Sequence, residues 1–266
     1  MEYEIMQLQK TLKSFFLFIT VALTTASCAS VNGPSPDHDP FESYNRAMFQ
    51  FNDAVDRNVV KPVAAAYKDY VPSPIRTGIS NFFSHLGDIL VILNDLLQGK
   101  FAQARDDSLR FFVNTVFGVF GIFDVASHME LPKHHEDFGQ TLGYWGISSG
   151  PYLVLPFLGP SSIRDTTGLL VDSQFDPIYD ISDTEARYAT IGLKAVDTRA
   201  ELLGASKVLD QAAFDRYAFL RDAYLQRRKH LVHDGAPPQD ENSKPVPSAN
   251  TEEEQLLEDD LEKALQ

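Results

Sequence analysis

Apolar positions recur at three- and four-residue spacing along most of residues 40–232, the period of amphipathic helices. Asp39-Pro40-Phe41-Glu42 is a helix start, with Asp39 as cap, Pro40 at the first helical position and Glu42 at the third. Phe41, Tyr44, Met48, Phe51, Val55 and Val59 then form one apolar face, and Pro62 breaks or restarts the helix. Tyr70 to Pro74 reads as an extended connector, since residues before proline avoid helical angles. The next helix starts at Pro74, and Gly87-Asp88 interrupts it. Ile89 to Leu97 (ILVILNDLL) is apolar around nearly its whole circumference, and Gln98-Gly99 closes it. Phe101 to Arg110 is a mixed helix with Arg105, Asp106, Asp107 and Arg110 outward, running into the apolar Phe111 to Ala126. Thr166 to Asp172 is a short helix. Asp183-Thr184-Glu185 starts a long one with Ala189, Leu193, Val196, Ala200 and Leu203 on one face, ended or kinked at Gly204. The last helix spans about 206–231, with Leu209, Ala213, Tyr217, Leu220 and Tyr224 inward. Strand–helix alternation and internal repeats are both lacking, so the pattern predicts one all-α domain over 40–232.

Three stretches do not fit an ordinary helical core. A helix that is apolar all round lies deep in a core or in lipid. The two expected at Ile89–Leu97 and Phe111–Ala126 are too short to cross a bilayer. Lying in one leaflet, at the headgroup and acyl boundary, would suit them. Between the later helices, Phe138 to Ile163 carries no charge in a chain that is 23% charged. It holds five glycines, three prolines and the only tryptophan, Trp145. Glycine and proline there rule out a long helix or a regular central strand, so the stretch reads as an irregular apolar segment held by helices. It is either a core loop or the wall of a site for an apolar ligand.

The ends change the picture. Lys10 and Lys13 precede the apolar run Ser14–Leu23, small residues and Cys28, the layout of a secretory signal over 1–27. Glu2 and Glu4 fit it poorly, and a start at Met6 would remove them. Cys28 is the sole cysteine, so an intramolecular disulfide is excluded. Thr25-Ala26-Ser27-Cys28 resembles a bacterial lipobox, with Thr25 where an aliphatic residue is usual, which predicts lipidation of Cys28. Ala29 and Ser30 follow without an aspartate, which in that sorting pattern implies the outer membrane. Residues 28–39 are a flexible tether. Of the net charge of −14, the tail from Asp234 supplies −8, ten acids against Lys244 and Lys263. An acidic chain is a poor partner for nucleic acid. Residues 233–266 read as a largely disordered tail, either solvated or carrying a short partner-docking helix near Leu257 and Leu261. Arg227-Arg228-Lys229 sit where positive charge favours a helix end, or where a lipid phosphate or partner would bind.

Candidate chemistry is sparse. Gly146-Ile147-Ser148-Ser149-Gly150 matches the G-x-S-x-G elbow of many lipases, which requires a strand before it and a helix after it. Glycines precede it and Pro151 follows at once, so a turn is the better reading, with a Ser148 phospholipase as the alternative. His128, His134, His135, Glu136 and Asp137 lie in a hydrophilic loop without metal-ligand spacing. The sequence predicts no catalytic residue, metal or cofactor.

Residues across Asp39–Leu203 resemble the VacJ/MlaA family of outer-membrane lipoproteins. The carriers include Asp39-Pro40-Phe41-Glu42 with Asn45-Arg46, Asp69-Tyr70-Val71-Pro72, Leu97-Gln98-Gly99 and Arg110-Phe111. They continue with Asn114-Thr115, Gly118, Gly121, Asp124-Val125-Ala126, Phe138-Gly139-Gln140-Thr141-Leu142-Gly143, Gly150-Pro151-Tyr152 and Arg164-Asp165. Ile89 departs, standing where the family commonly has proline. The resemblance implies a ring-like helical domain in the inner leaflet of the outer membrane, beside trimeric porins. It also implies an amphipathic channel for mislocalised phospholipids and a soluble periplasmic carrier that takes them on. On that basis Tyr144, Trp145, Tyr152, Arg164 and Asp165 are expected along the lipid path, with Asp172 and Lys194 as weaker candidates. Gly118, Gly121 and Gly143 are expected to act as hinges or points of close approach.

Overall fold

The computed structural model describes residues 39–206 and 215–236. The expected signal, Cys28, most of the expected tether, Leu209, Ala213 and most of the acidic tail lie outside the described residues. Nine α-helices and one two-stranded hairpin are present among those described. Helix α1 (Glu42–Val55) passes through a π-helical turn (Asp56–Val60) into α2 (Lys61–Tyr70). Pro62 therefore does not break the rod. It cannot donate to the preceding turn, and the wider π turn absorbs the mismatch. Helix α3 (Ser73–Leu97) also runs unbroken through Gly87-Asp88, where an interruption was expected. Gly87 is an isolated helical glycine, which weakens a helix without ending it. Ile89 retains the N–H that the family's proline would lack.

Helix α4 (Phe101–Val116) ends before the expected apolar helix can form. Residues 117–124 instead turn back, with Val119, Phe120 and Gly121 at positive φ, into α5 (Val125–His128). Asn114 drives the reversal: its side chain donates to Asp124 and accepts from the Ala126 amide. Phe138–Ile163 is more regular than its composition predicts. It contains α6 (Phe138–Tyr144), β1 (Tyr152–Leu155) and β2 (Gly159–Ser162), paired antiparallel with Tyr152 opposite Ser162. The fold is thus mostly helical with one hairpin. Helices α7 (Ile163–Asp172), α8 (Thr184–Glu201) and α9 (Arg216–Val232) complete it.

Asp39 does not cap α1 as expected. Its carboxylate is fully buried, accepting from Asn45 at 2.8 Å and from the Tyr217 hydroxyl. Two asparagines seven residues apart on α1 then act as a strand for the hairpin. Asn45 bridges the Tyr152 carbonyl and Val154 amide, and Asn52 bridges the Leu155 carbonyl and Phe157 amide. The free edge of β1 is satisfied by side chains rather than by a third strand.

Contacts between elements close into a circuit: α1 to the hairpin, the hairpin to α9, then α6, α3, α8, α2 and back. Its interior is unusual. Among the described residues, nineteen buried residues are polar or charged and twelve are apolar. Ordinary domains bury the opposite proportion. Among the described residues, the one cluster of conventional type is Tyr152, Val154 and Tyr217, packed against Met48, Phe49, Tyr224 and Leu225. Meanwhile Leu93, Leu96, Phe101, Phe112, Val116, Phe117, Phe120 and Phe123 are exposed. The expected outward Asp107 and Arg110 are each 1% exposed. Leu193, on the apolar face expected for this helix, is exposed on α8, while Asp197 of the same helix is buried. Helical period alone cannot say which face meets water. No described helix is long and apolar enough to cross a membrane.

Candidate functional site

Two cavities lie inside the circuit. One, of about 590 Å³, is lined by polar and charged groups from α3, the 133–137 loop, α8 and α9, among them Asp88, Lys133, Asp197, Glu201 and Arg227. The other, of about 920 Å³, has a mostly apolar wall that includes Val55, Val60, Phe157, Leu158, Leu169, Ile191 and Leu202. Both are lined by Leu90, Lys194 and Thr198, so they meet at that waist. The result is an amphipathic region, charged in one cavity and mostly hydrocarbon in the other.

Buried polar networks fix its walls. Asp197 receives the Tyr67 and Ser80 hydroxyls, each at 2.8 Å, and so ties α8 to α2 and α3. Arg199 grips Asp56 with two bonds of 2.7 and 2.8 Å beside the apolar cavity. Arg228 of α9 donates to Asp137 at 2.5 and 2.9 Å and to Asp165 at 2.8 Å. Arg164 and Tyr224 also donate to Asp165. Burial alone would raise Asp137 and Asp165. Arg228, helped by Gln140 at the first and by Tyr224 and Arg164 at the second, overrides it and holds both below the ordinary carboxylate range. Asp172 goes the other way: burial raises it despite bonds from the Phe138 amide and Asn94.

Behind the polar cavity, Gln98 and Lys100 donate to Glu136, and the Asp107 carboxylate meets His134 Nδ1 at 2.7 Å. Asp95 is fully buried beside them. Burial, then the nearby Asp107 and Glu136 carboxylates, push it up to about 7.

A family model described as MlaA lipoprotein matches residues 37–231. The chain belongs to this family. It is 38% identical over 228 residues to the "Intermembrane phospholipid transport system lipoprotein MlaA" of Escherichia coli strain K12, covering 84% of this chain and 86% of that protein. The protein of that name from Haemophilus influenzae is 33% identical over 230 residues, covering 84% of this chain and 92% of its own. A solved structure described as "Structural basis for maintenance of bacterial outer membrane lipid asymmetry" superposes with a TM-score of 0.65 at 35% identity. It covers 73% of this chain and 98% of that one.

In this MlaA-family chain the residues singled out from sequence are scattered. Tyr144 and Trp145 are half-exposed at the end of α6, with Trp145 Nε1 donating to the Leu97 carbonyl. Tyr152 is buried in the apolar cluster. Arg164 and Asp165 belong to the Arg228 network. None of these five lines either cavity, whereas Asp172 lines the apolar one and Lys194 lines both. A Cβ on Gly118 would strike the Phe123 carbonyl, and one on Gly121, at φ +84°, would strike the His85 ring. One on Gly143 would meet Arg164 and Val232 within about 3.0 Å. Ser148 is exposed in the bend between α6 and β1, after a helix and before a strand, the reverse of a nucleophile elbow. Among the described residues no group of three His, Cys, Asp or Glu is placed to hold a metal. Sequence reasoning missed Leu90, Thr198, Glu201 and the bolt at Arg228. One signal was available. Lys194, Asp197 and Glu201 fall at i, i+3 and i+7, a polar stripe along one side of α8.

Proposed function

We propose that this protein carries phospholipids out of the outer leaflet of the outer membrane through the passage between α3 and α8. A soluble periplasmic carrier would receive them, so that lipid asymmetry is maintained. The observation that carries the reading is the pair of cavities joined at Leu90, Lys194 and Thr198. A phospholipid has one charged and one hydrocarbon end, and a path that accepts both must have walls of both kinds. The names of the relatives, phospholipid-transport lipoproteins, supply the substrate class.

The apolar exterior is consistent with a ring seated in the inner leaflet, anchored through lipidated Cys28 and set beside a trimeric porin. Exposed Phe112, Phe117, Phe120 and Phe123 would then lie in hydrocarbon. Tyr144 and Trp145 suit the headgroup boundary. Arg164 and Asp165 support the passage by locking α7 to α9. Transport along this path requires no nucleophile, so the Ser148 phospholipase is the weaker reading.

Thr198 is exposed to the waist, and Thr198→Trp would plug it. In a deletion strain, folded Thr198→Trp is expected to leave surface-exposed phospholipid several-fold above the wild-type complement. Ser148→Ala should restore the wild-type level. Full restoration by Thr198→Trp would overturn the passage, and failure of Ser148→Ala would favour the esterase.

A further inference from the structure

The polar cavity has a charge pattern that transport alone does not require. Most of its charged wall is already ion-paired or hydrogen-bonded. Lys133 pairs with Asp88 at 3.2 Å, Arg228 with Asp137, Glu136 with Lys100, and Asp197 with two hydroxyls. Lys194, at the waist, reaches Asp176 only at 3.6 Å and keeps 41% of its side chain exposed. Two charged wall residues, Glu201 and Arg227, carry no hydrogen bond or ion pair among the described residues, and they are of opposite sign.

Position along α8 gives these charges an order. Lys194 borders the apolar cavity as well as the polar one, whereas Glu201 lines the polar one and a small side pocket of about 190 Å³ that it shares with Tyr67 and Arg76. Seven residues separate them, about two helical turns or roughly 10 Å, on the same side of the helix. Lysine and glutamate side chains can reach inward across most of that span. A lipid entering with its tails in the apolar cavity would put its phosphate near the waist and its terminal headgroup atoms beyond.

We infer that the polar cavity is a recognition site for zwitterionic glycerophospholipids, with the phosphate held by Lys194 and Arg227 and the terminal ammonium by Glu201. The inference rests on the transport reading and deepens it by naming the headgroup class. An anionic headgroup ending in hydroxyls would satisfy the two cations and offer Glu201 no cationic group to bind. A headgroup ending in a primary ammonium satisfies all three.

The test uses the purified full-length chain incubated with mixed micelles holding equal amounts of dioleoyl phosphatidylethanolamine and dioleoyl phosphatidylglycerol. Bound lipid is then counted by mass spectrometry. The wild type is expected to retain the ethanolamine lipid about fivefold over the glycerol lipid, the worth of one half-exposed ion pair. Glu201→Gln should bring the ratio to about one, and Glu201→Lys should invert it. Arg227→Gln should lower retention of both lipids and leave the ratio near the wild-type value. Equal retention of the two lipids by the wild type, with Thr198→Trp retaining neither, would overturn headgroup recognition and leave the passage standing. Retention of neither lipid by the wild type would overturn both. A preference that survives in folded Glu201→Lys would also overturn the assignment of the ammonium site.

Discussion

Two regions of this molecule hold it together by opposite means. Around Tyr152, Val154 and Tyr217, aromatic and aliphatic side chains pack as in any small soluble core, with ring centroids 5.9 to 6.2 Å apart. Between α3, α4, α6 and α9 the interior is made of carboxylates, amides and guanidinium groups, and the leucines and phenylalanines point away from it. Apolar burial is tolerant of shape and contributes by area. A polar interior contributes only when every member is paired, because an unpaired buried charge costs several kcal/mol. The first region resembles a protein in water. The second resembles one whose outside is not water, or whose inside must pass something polar.

That contrast predicts unequal consequences for loss of one side chain. Arg228→Met removes the shared partner of Asp137 and Asp165 while keeping similar bulk. It is expected to cost about 3–5 kcal/mol. Val154→Ala, in the conventional cluster, should cost about 1–2 kcal/mol from lost burial and a small cavity. Urea unfolding of the two variants measures both. A larger loss at Val154 would mean that the polar networks are decoration on an ordinary core.

The next effect depends on pH and has opposite signs at different carboxylates. Asp137 and Asp165 are held below their ordinary range, so they stabilise the fold above the unfolded pKa. That contribution disappears as pH falls through their folded values, below about 4. Asp95 is raised to about 7, so the folded state binds its proton more tightly than the unfolded chain does. Its burial therefore costs nothing below pH 4, and the cost grows as pH rises from there to about 7. Asp95→Asn mimics the protonated form. It should stabilise the protein at pH 8 by about 1–2 kcal/mol and change little at pH 4. A stability difference between this variant and wild type that is the same at both pH values would show that Asp95 does not titrate in that window.

How much of this was readable from the sequence varies by region. Helix positions and several caps were legible, because Asp183 before Thr184 and proline after Ser73 act locally. The family was legible in ordered motifs such as Asn45-Arg46 and Leu97-Gln98-Gly99. The orientation of the helices was not. The run Ile89–Leu97 reads as apolar nearly all round because only two of its nine residues, Asn94 and Asp95, are polar, yet these two are buried and define its inner face. Phe111–Ala126 looked like one helix because its reversal depends on Asn114 meeting Asp124, a contact no periodicity encodes. The uncharged stretch Phe138–Ile163 drew attention as a wall. It contributes its hairpin turn, Phe157 to Pro160, to the apolar cavity, while α3 and α8 supply the waist.

The smallest expected effect is at the outer surface, and it separates the two regions most cleanly. Leu96 is 49% exposed on the face of α3 opposite the buried Asn94 and Asp95. In a soluble protein, replacing an exposed leucine by serine changes stability by less than about 0.5 kcal/mol. Leu96→Ser should therefore unfold in urea, in detergent-free buffer, at the wild-type midpoint. Binding to vesicles is another matter, since each leucine that enters hydrocarbon contributes transfer energy that serine does not. Sedimentation with liposomes should fall about fivefold to tenfold for Leu96→Ser, and the same change at exposed Leu202, which lines the internal apolar cavity, should leave it unaltered. Equal liposome binding by wild type and Leu96→Ser would mean that this outer face meets another protein rather than lipid, and the inverted interior would then belong to a complex.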